Sequence, residues 1–444
     1  MNIAIIGAGP TGLAAALELA KMDQDHKITV FEKSPDEIGG LAGAIPLGKT
    51  FIDKYYHHIF TSDTGILDMI NELGLGAEML WLEPKNGMYL NSTLYPFTNP
   101  IDLILFPVVS LASRVRMGLA VLKAKKVTDY KTLESITAKQ WLIEKTGADA
   151  YEKIWRPLLV SKFGSDADKV SGVWIWNKFK LRGSTRQNVN KELLGYLRGS
   201  FYRVFKAAEE FLIRSNHKMC FEEVLSLGSY EGSKASLETR MGEYVFDKIL
   251  FTGSPQQFCK LAGLTPTSGE YDKSGAAGVA FAQRALATKY KANICMTLTV
   301  KHRVSDYYWI SIAESNAPFV LFIEHTNLVS DEAYEGKHII YLSRYIDAED
   351  DLFQQTDEEI KALFIEYMER MFAGFRRESI IDSYVYRSLY AQPVIGLNYS
   401  DHVLPMETPV KNIYLAGMAQ VYPEDRGQAY AVTLGKKAAK LLNI

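Results

Sequence analysis

The N-terminal segment NIAIIGAGPTGLAAALELAKM joins a short apolar run, three spaced glycines and an Ala/Leu-rich run. Residues 3–6 are expected to form a buried strand, and the run that follows Pro10 is expected to form a helix. Gly7, Gly9 and Gly12 stand between these elements in the spacing G-x-G-x-x-G. This order constrains the chain more than any other feature, because it opens a βαβ unit of a parallel α/β sheet.

Each glycine of this turn has its own physical reason. Gly7 permits a tight turn, Gly9 lets the backbone approach a pyrophosphate, and Gly12 allows the helix to pack closely on the strand. The start of the helix, at Pro10 and Thr11, directs its free N–H groups toward the anion. We therefore predict that these five residues contact a dinucleotide, the alternative being a purely structural glycine-rich turn.

The second strand, KITVFEK, supports the dinucleotide interpretation. It ends at Glu32, twenty residues after Gly12. A carboxylate at this point accepts hydrogen bonds from the ribose hydroxyls of an adenosine and disfavours a 2′-phosphate, and hence NADP. Glu32 and its neighbour Lys33 are therefore predicted cofactor residues.

A glycine pair soon after the acid distinguishes between FAD and NAD. Gly39 and Gly40 would let a second loop lie against the pyrophosphate and ribityl chain, as a long flavin cofactor requires. We therefore predict FAD, with Leu41 and Ala42 in the same loop beside it. No second G-x-G-x-x-G unit occurs, so electrons would come from the substrate or from an external partner.

These motifs resemble the amine oxidase, protoporphyrinogen oxidase and phytoene desaturase superfamily of FAD enzymes. The sequence departs from that pattern at Leu41, where many members carry arginine. The resemblance implies a mixed α/β (α+β) fold: a discontinuous Rossmann-like FAD-binding domain, an inserted substrate domain and a helical subdomain. The implied boundaries are 1–85, 201–265 and 406–444 for the FAD-binding domain, 86–200 for a mainly helical, substrate- or membrane-facing subdomain, and 266–405 for a mixed β substrate domain.

The resemblance also implies further contacts with FAD. Val224 would open the strand whose backbone meets the adenine, and Gly253 would lie in the turn that returns the chain to the cofactor domain. The C-terminal segment NIYLAGMAQVYPEDRGQAYAVTLGKKAAKLL resembles the part of these flavoproteins that closes over the isoalloxazine. It adds four predicted cofactor residues: Gly417, Glu424, Arg426 and Gly427.

A histidine pair supplies the first catalytic candidates. The run YYHHIF is similar to a motif of UDP-galactopyranose mutases, which share this fold, and it places His58 where that family has a histidine at the flavin. His57 stands where that family has proline. We predict His58 and the nearby Tyr56 as catalytic residues; the alternative is one packed and one solvated histidine.

Two later segments supply more candidates. Trp174, Trp176, Arg182 and Arg186 could form an aromatic and cationic wall for a flat or phosphorylated substrate, or equally a domain interface. The segment YRSLYAQPVIGLNYS resembles one of protoporphyrinogen oxidases and adds Tyr386, Arg387 and Gln392 as active-site candidates. Arg182 and Gln392 are predicted to be catalytic. No residue can be nominated as the flavin-facing lysine typical of amine oxidases.

Charge and composition limit the partners and the location. Fifty basic and fifty-two acidic residues give a net charge of -2, which argues against nucleic-acid binding. The three cysteines are far apart, so we expect a cytoplasmic protein with no metal site built on them. Residues 100–126 are first apolar and then basic, a pattern suited to peripheral contact with the inner face of a membrane or to buried helices joined at Pro107.

The leading interpretation is an FAD-dependent oxidoreductase that passes hydride from an organic small molecule to flavin N5. The substrate would be aromatic, an amine or a nucleotide sugar. The alternative is a flavin-dependent sugar-nucleotide isomerase of the UDP-galactopyranose mutase type, without net redox change. A third hypothesis, a non-enzymatic carrier of the Rab GDP-dissociation-inhibitor type, would not require the complete dinucleotide motif.

Overall fold

The computed structural model describes residues 1–184, 186–188, 191–267 and 275–444, and the side chains of residues 182–191 lie outside that description. The strands are β1 (Asn2–Ile6), β2 (Lys27–Glu32), β3 (Ala44–Leu47), β4 (Thr50–Asp53), β5 (Met79–Leu82), β6 (Asn86–Leu90), β7 (Thr93–Pro96), β8 (Arg186–Asn188), β9 (Lys191–Glu192), β10 (Leu194–Leu197), β11 (Lys218–Phe221), β12 (Val224–Tyr230), β13 (Lys234–Thr239), β14 (Gly242–Phe246), β15 (Lys248–Phe251), β16 (Tyr290–Val300), β17 (Trp309–Ile312), β18 (Leu321–Glu324), β19 (His338–Ile346), β20 (Ile380–Pro393) and β21 (Ile413–Leu415). The helices are α1 (Pro10–Met22), α2 (Thr64–Glu72), α3 (Pro100–Leu105), α4 (Leu111–Ala124), α5 (Ala138–Thr146), α6 (Ala148–Ala150), α7 (Arg156–Phe163), α8 (Gly172–Ser184), α9 (Tyr202–Arg214), α10 (Pro255–Ala262), α11 (Gly275–Ala287), α12 (Asp351–Gln354), α13 (Asp357–Met371) and α14 (Gln428–Leu442).

A parallel five-stranded sheet forms the first domain, in the order β11-β2-β1-β15-β21. Its central strands read as nearly continuous apolar runs because both faces of the sheet are covered, one by helices and the other by the three-stranded sheet β12-β13-β14 together with helices α10 and α11. Ile3 and Ile5 of β1 are fully buried, and they pair with Ile28 and Val30 of β2. The predicted mixed α/β fold class is confirmed.

Three distant parts of the chain build this domain, as its strand order requires. The last helix, α14, packs against the first, α1, and closes the domain. The contact is tight because a side chain at Gly435 would place its Cβ 2.2 Å from the backbone oxygen of Thr11. The N- and C-terminal motifs are therefore held against each other by backbone contact.

A second, seven-stranded sheet has the order β20-β16-β19-β18-β17-β6-β7. Only β17 and β6 run parallel in the described sheet; the other neighbours are antiparallel. Helix α13 covers one face through Ile360, Phe364 and Met368, which are buried in the same core as Phe322. Strands β6 and β7 fall within the range 86–200, which is expected to be mainly helical; this hairpin pairs with the seven-stranded sheet, and the helices begin at Pro100.

Helices α3 to α8 form the helical subdomain around a core that includes Trp141, Leu142 and Trp176. One buried cation ties this subdomain to the seven-stranded sheet. The Nζ atom of Lys291, on β16, lies 3.1 Å from Asp166 and 2.5 Å from Asp347. Of the helices in the described ranges, none has both the length and the apolar character needed to cross a bilayer.

Candidate active site

The first glycine turn leaves space beside Gly9 and none beside Gly12. A Cβ at Gly12 would lie 2.0 Å from the oxygen of Gly7, whereas a Cβ at Gly9 would meet no heavy atom of the described chain within 4 Å. Gly7 has a φ of 105°, which favours glycine. Gly12 therefore serves the packing of α1 on β1, and the open face at Gly9 can admit a pyrophosphate at the start of the helix.

The acid at the end of β2 lies against the same turn. Glu32 Oε2 accepts a hydrogen bond from the N–H of Ala8 at 2.9 Å, and Oε1 accepts one from the N–H of Lys33 at 2.8 Å. Burial raises the pKa of Glu32, and the two backbone N–H groups oppose that rise. A carboxylate has about four acceptor positions, so acceptor capacity remains for ribose hydroxyls.

The second glycine loop lies directly on the first. Gly39 donates its N–H to the oxygen of Ala8 at 2.8 Å, and a Cβ at Gly40 would lie 3.5 Å from Gly9 Cα. Both glycines have positive φ angles, 87° and 54°. Leu41 and Ala42 complete the loop as a short 3-10 helix with Gly40. Two loops with little side-chain bulk thus meet at one edge of the parallel sheet, as the sequence predicts for a long dinucleotide.

The neighbouring strands end at the same edge of the sheet. A Cβ at Gly417, after β21, would lie 2.4 Å from the oxygen of Gly253, after β15. Val224 is buried at the start of β12, against the core of the same domain. The ends of β1, β15 and β21 thus bring the predicted residues together through backbone contacts.

The N-terminus of α14 has polar groups that find no partner among the described residues. Gly427 is its N-cap residue and makes no side-chain cap. Both amide atoms of Gln428, the first residue of the helix, are buried and find no hydrogen-bond partner among the described residues. Free N–H groups and an unpaired amide suit a polar heterocycle such as the isoalloxazine.

A polar cluster, which we call the Tyr345 cluster, lies where the seven-stranded sheet meets this helix. Arg426 donates from its guanidinium to the hydroxyl of Tyr345 and, over 2.9 Å, to Gln392 Oε1. Gln392 donates from Nε2 to Asp425 Oδ1 at 3.0 Å. The hydroxyl of Tyr56 lies 3.2 Å from that of Tyr345. The structure therefore brings together three predicted residues, Tyr56, Gln392 and Arg426.

Two lysines extend the Tyr345 cluster toward the helical subdomain. Lys178 forms an ion pair with Asp425. Lys162 lies with its Nζ 4.8 Å from the centre of the Tyr345 ring and 5.1 Å from that of Trp174, and it makes no hydrogen bond or ion pair with any residue that the structure describes. These contacts place cations against the faces of electron-rich rings.

The buried surroundings and charges of the Tyr345 cluster lower the pKa of both Lys162 and Asp425. Burial, together with the nearby Lys178 and Arg426, lowers the pKa of Lys162 well below its ordinary value, although Asp425 opposes this. Burial alone would raise the pKa of Asp425, but Lys178, Lys162 and Arg426 lower it well below the usual value. At neutral pH the site therefore holds an ionised carboxylate and a lysine that gives up its proton readily.

The histidine pair lies beside packed aromatic side chains. Nδ1 of His58 lies 3.0 Å from the hydroxyl of the fully buried Tyr308, inside an aromatic group with Phe60 and Trp309. Nδ1 of His57 is buried and has no partner in the described part of the chain. Burial lowers the pKa of each histidine to about 4, so both imidazoles are neutral at pH 7.

Other predicted residues lie apart from the Tyr345 cluster. Trp176 donates its indole N–H to the oxygen of Ala124 at 2.8 Å, within the helical core. Arg387 pairs with Asp357 at the start of α13. Tyr386 packs near Tyr55 and stacks on Tyr384. Glu424 precedes the cluster residue Asp425. The predicted side chains of Arg182 and Arg186 lie outside the described residues.

Sequence reasoning missed Lys162, Lys178, Tyr345 and Asp425. A local signal existed for two of them. Asp425 adjoins Arg426 in PEDRG, and Lys178 follows Trp174 by four residues on α8, so the two share a helix face. Lys162 and Tyr345 reach the site only through the packing of α7 against β19, which no local pattern shows.

Comparison with known proteins finds relatives by sequence and solved structures of the same fold. A coproporphyrinogen III oxidase of Staphylococcus aureus is 25% identical over 189 residues, which cover 40% of this chain and 40% of that protein. An oxidoreductase from Methanosarcina mazei superposes with a TM-score of 0.73 at 16% identity, over 99% of this chain and 100% of its own. The reduced UDP-galactopyranose mutase superposes with a TM-score of 0.71 at 15% identity, over 100% of this chain and 93% of its own.

The family assignment rests on nearly the whole sequence. Residues 10–442 match the family described as flavin containing amine oxidoreductase. The open face at Gly9, the acid at Glu32 and the unpaired amide of Gln428 fit a flavin dinucleotide, and the cofactor is FAD. The chain belongs to the family of flavin-containing amine oxidoreductases.

Proposed function

We propose that this protein is an FAD-dependent oxidoreductase acting on a small organic molecule that is uncharged or anionic. The observation that supports this proposal is the Tyr345 cluster. It gathers Lys162, Lys178 and Arg426 around a single buried carboxylate, Asp425. Lys178 and Arg426 alone outnumber this carboxylate, which disfavours a positively charged amine and favours a substrate that carries carboxylate or phosphate groups.

FAD and the chain have separate roles in the proposed reaction. FAD, when bound, supplies the electron-accepting chemistry: a substrate C–H bond loses two electrons and a proton equivalent, and molecular oxygen or another acceptor completes the cycle. The chain holds and orients the substrate. Trp174, Tyr345 and Tyr56 offer ring faces to a flat molecule, while Lys178 and Arg426 offer charge-assisted hydrogen bonds.

Lys162 is the residue that we assign to proton transfer. Burial lowers the pKa of Lys162, so its unprotonated form is reached more easily and can accept the second proton that leaves the substrate when the C–H hydrogen leaves as hydride. Its Nζ has no hydrogen-bond or ion-pair partner among the described residues, so its lone pair remains available to a substrate. Lys178 and Arg426, which are committed to Asp425 and Tyr345, are positioned for binding.

The test is an anaerobic visible spectrum of the FAD-loaded protein while porphyrinogens, amines and UDP-sugars are added in turn. We expect bleaching by an anionic substrate and not by simple amines. Replacing Lys178→Met should raise the concentration for half-maximal bleaching by about tenfold, the loss of roughly one charge-assisted hydrogen bond. Lys180→Met is the matched control, because Lys180 lies on the same helix over Trp176, outside the cluster. Bleaching by amines alone, or equal effects of both substitutions, would contradict the proposed substrate class.

A mutase is the second candidate function, and the same cations favour it. Lys178 and Arg426 could hold a diphosphate as readily as a carboxylate. If no compound bleaches the flavin, but the dithionite-reduced protein alone converts a UDP-sugar to an isomer, the mutase is the correct function and the oxidoreductase is not.

We also infer a cytoplasmic location from the cysteines. Cys220, Cys259 and Cys295 are free thiols, and burial raises the pKa of Cys259 to about 11. Thiols of this kind are poor nucleophiles and are typical of proteins in a reducing compartment. We therefore expect the protein to remain stably folded in the presence of a reductant.

A further inference from the structure

Helix α4 presents apolar side chains to solvent along one face. Leu111, Val115, Leu119 and Leu122 follow each other at intervals of four, four and three residues, and each is at least 44% exposed. The opposite face of α4, which includes Met117, is buried and composed mainly of small residues. This is the reverse of a normal surface helix, whose apolar stripe faces the core.

Helix α3 extends the same exposed surface. Ile101, Ile104 and Leu105 are between 55% and 70% exposed. The two helices are held together by Arg114, which donates from Nε to the oxygen of Val109 at 2.9 Å and from its terminal nitrogen to that of Ile104 at 2.6 Å. We call these seven exposed side chains the α3–α4 face. A contiguous apolar surface of this kind marks an interaction site.

The charge around the α3–α4 face is positive. Between Asp102 and Asp129 the sequence contains five basic residues and no acidic one, although the whole chain has a net charge of -2. Lys123, Lys125 and Lys126 are exposed at the end of α4, and none makes an ion pair or a side-chain hydrogen bond within the described ranges. An apolar surface bordered by free lysines complements an anionic lipid surface.

A crevice at the border of the face adds a place for a lipid headgroup. It has a volume of about 190 Å³ and is lined by Arg116, Leu119, Ala120, Lys123, Glu144 and Lys145. Lys145 is paired with Glu144, at 2.6 Å, and Arg116 donates to the backbone oxygens of Ile143 and Glu144. Among the residues that the structure describes, neither Arg116 nor Lys123 has a carboxylate partner. A phosphate in the crevice would meet these cations, and the acyl chains attached to it would continue past Leu119 along the face.

We propose that the α3–α4 face docks on the surface of an anionic phospholipid bilayer, with a lipid phosphate in the crevice between α4 and α5. The apolar side chains enter the boundary between headgroups and acyl chains, and the lysines lie among the phosphates. This contact is independent of the reaction at the Tyr345 cluster.

The test is flotation of the full-length, FAD-loaded protein with lipid vesicles. We expect binding to vesicles of phosphatidylcholine mixed with phosphatidylglycerol, weaker binding at high salt, and little binding to phosphatidylcholine alone. The triple substitution Leu105→Gln, Leu111→Gln and Leu122→Gln should weaken binding about tenfold or more. These side chains are more than 60% exposed, so folding and flavin content should be unchanged.

Matched controls distinguish binding through the α3–α4 face from nonspecific hydrophobic or electrostatic binding to the vesicles. Met241→Gln and Leu389→Gln change side chains that are also at least 50% exposed but lie on other surfaces, and they should leave vesicle binding unchanged. Lys123→Gln with Lys126→Gln should remove the preference for anionic lipid, whereas Lys260→Gln, on α10, should not.

Three results would overturn the proposal. Equal binding to neutral and anionic vesicles would refute the role of the charge. Binding that the triple substitution leaves unchanged would refute the role of the apolar face. If the protein without lipid is a dimer in light scattering and the triple variant is a monomer, a second copy of the chain covers the face instead.

Discussion

Gly9 and Gly12 lie three residues apart in the same turn, and the structure assigns them opposite consequences on substitution. A Cβ at Gly9 meets no described heavy atom within 4 Å, whereas a Cβ at Gly12 lies 2.0 Å from the oxygen of Gly7. The backbone at Gly9, with φ of -79° and ψ of -179°, is extended and open to any residue. Gly9→Ala should therefore disturb the cofactor alone, and Gly12→Ala should disturb the fold.

The magnitudes follow from these distances. Gly12→Ala forces α1 away from the turn, and overpacking of this kind costs about 1–3 kcal/mol of unfolding free energy. Gly9→Ala should change the stability of the apoprotein by less than about 1 kcal/mol, with a slight gain from the reduced freedom of the unfolded chain. It should remove backbone hydrogen bonds to the pyrophosphate worth about 1.5–3 kcal/mol, so the Kd for FAD rises roughly ten- to a hundredfold.

Two assays separate these effects. Urea unfolding of the apoproteins gives the stability change, and titration of the apoproteins with FAD, followed by quenching of flavin fluorescence, gives the affinity. Added FAD should raise the melting temperature of the wild type more than that of Gly9→Ala, because a ligand that binds the native state stabilises it in proportion to its affinity. A Gly9→Ala protein with the wild-type Kd, or one destabilised as much as Gly12→Ala, would refute this reasoning.

Three further predictions concern stability. Burial raises the pKa of Asp53 to about 7, so its ionisation opposes folding increasingly as the pH rises from about 4 to about 7; Asp53→Asn should be more stable than wild type at pH 8, by up to about 4 kcal/mol in urea unfolding, and not at pH 4. Lys291→Met removes the buried partner of Asp166, which keeps the exposed Lys169 and Lys289, and should cost about 1.5–3 kcal/mol, a loss that the added change Asp166→Asn should reduce; no loss would show that the ion pair contributes nothing. Gly435→Ala places a Cβ 2.2 Å from the Thr11 oxygen and should lower the melting temperature, with a cost of about 1–3 kcal/mol; an unchanged melting temperature would mean that α14 can shift on α1.

The cofactor domain could be predicted from the sequence because its determinants are local. Strand, glycine turn, helix, strand and acid follow one another within the first 32 residues, and the structure has β1, α1 and β2 at those positions. The turn chemistry of glycine and the periodicity of apolar residues determine such a unit without reference to the rest of the chain. The glycine pair at Gly39 is equally local, since it requires only a positive φ next to the first turn.

The Tyr345 cluster could be predicted only in part because five separate elements build it. Tyr56, Lys162, Tyr345, Gln392 and Arg426 are brought together by the packing of two sheets and a helical subdomain. A one-residue change of strand register would turn each sheet residue to the other face, and no local pattern specifies that register. The orientation of the two histidines depends in the same way on a partner, Tyr308, which lies 250 residues from His58 along the chain.

The two halves of the site differ in how they can change during evolution. The glycine turns at the cofactor site contact each other through backbone atoms, with Gly40 against Gly9 and Gly417 against Gly253. Larger side chains at these positions would therefore push the turns apart or fill the space for the cofactor. The Tyr345 cluster is joined by side chains alone, and each can be replaced while the sheets stay in place. The structures compared above keep this fold at 15–16% identity, and a fold by itself does not determine the substrate. For that reason the charge of the cluster, and not the fold, is the better guide to the substrate.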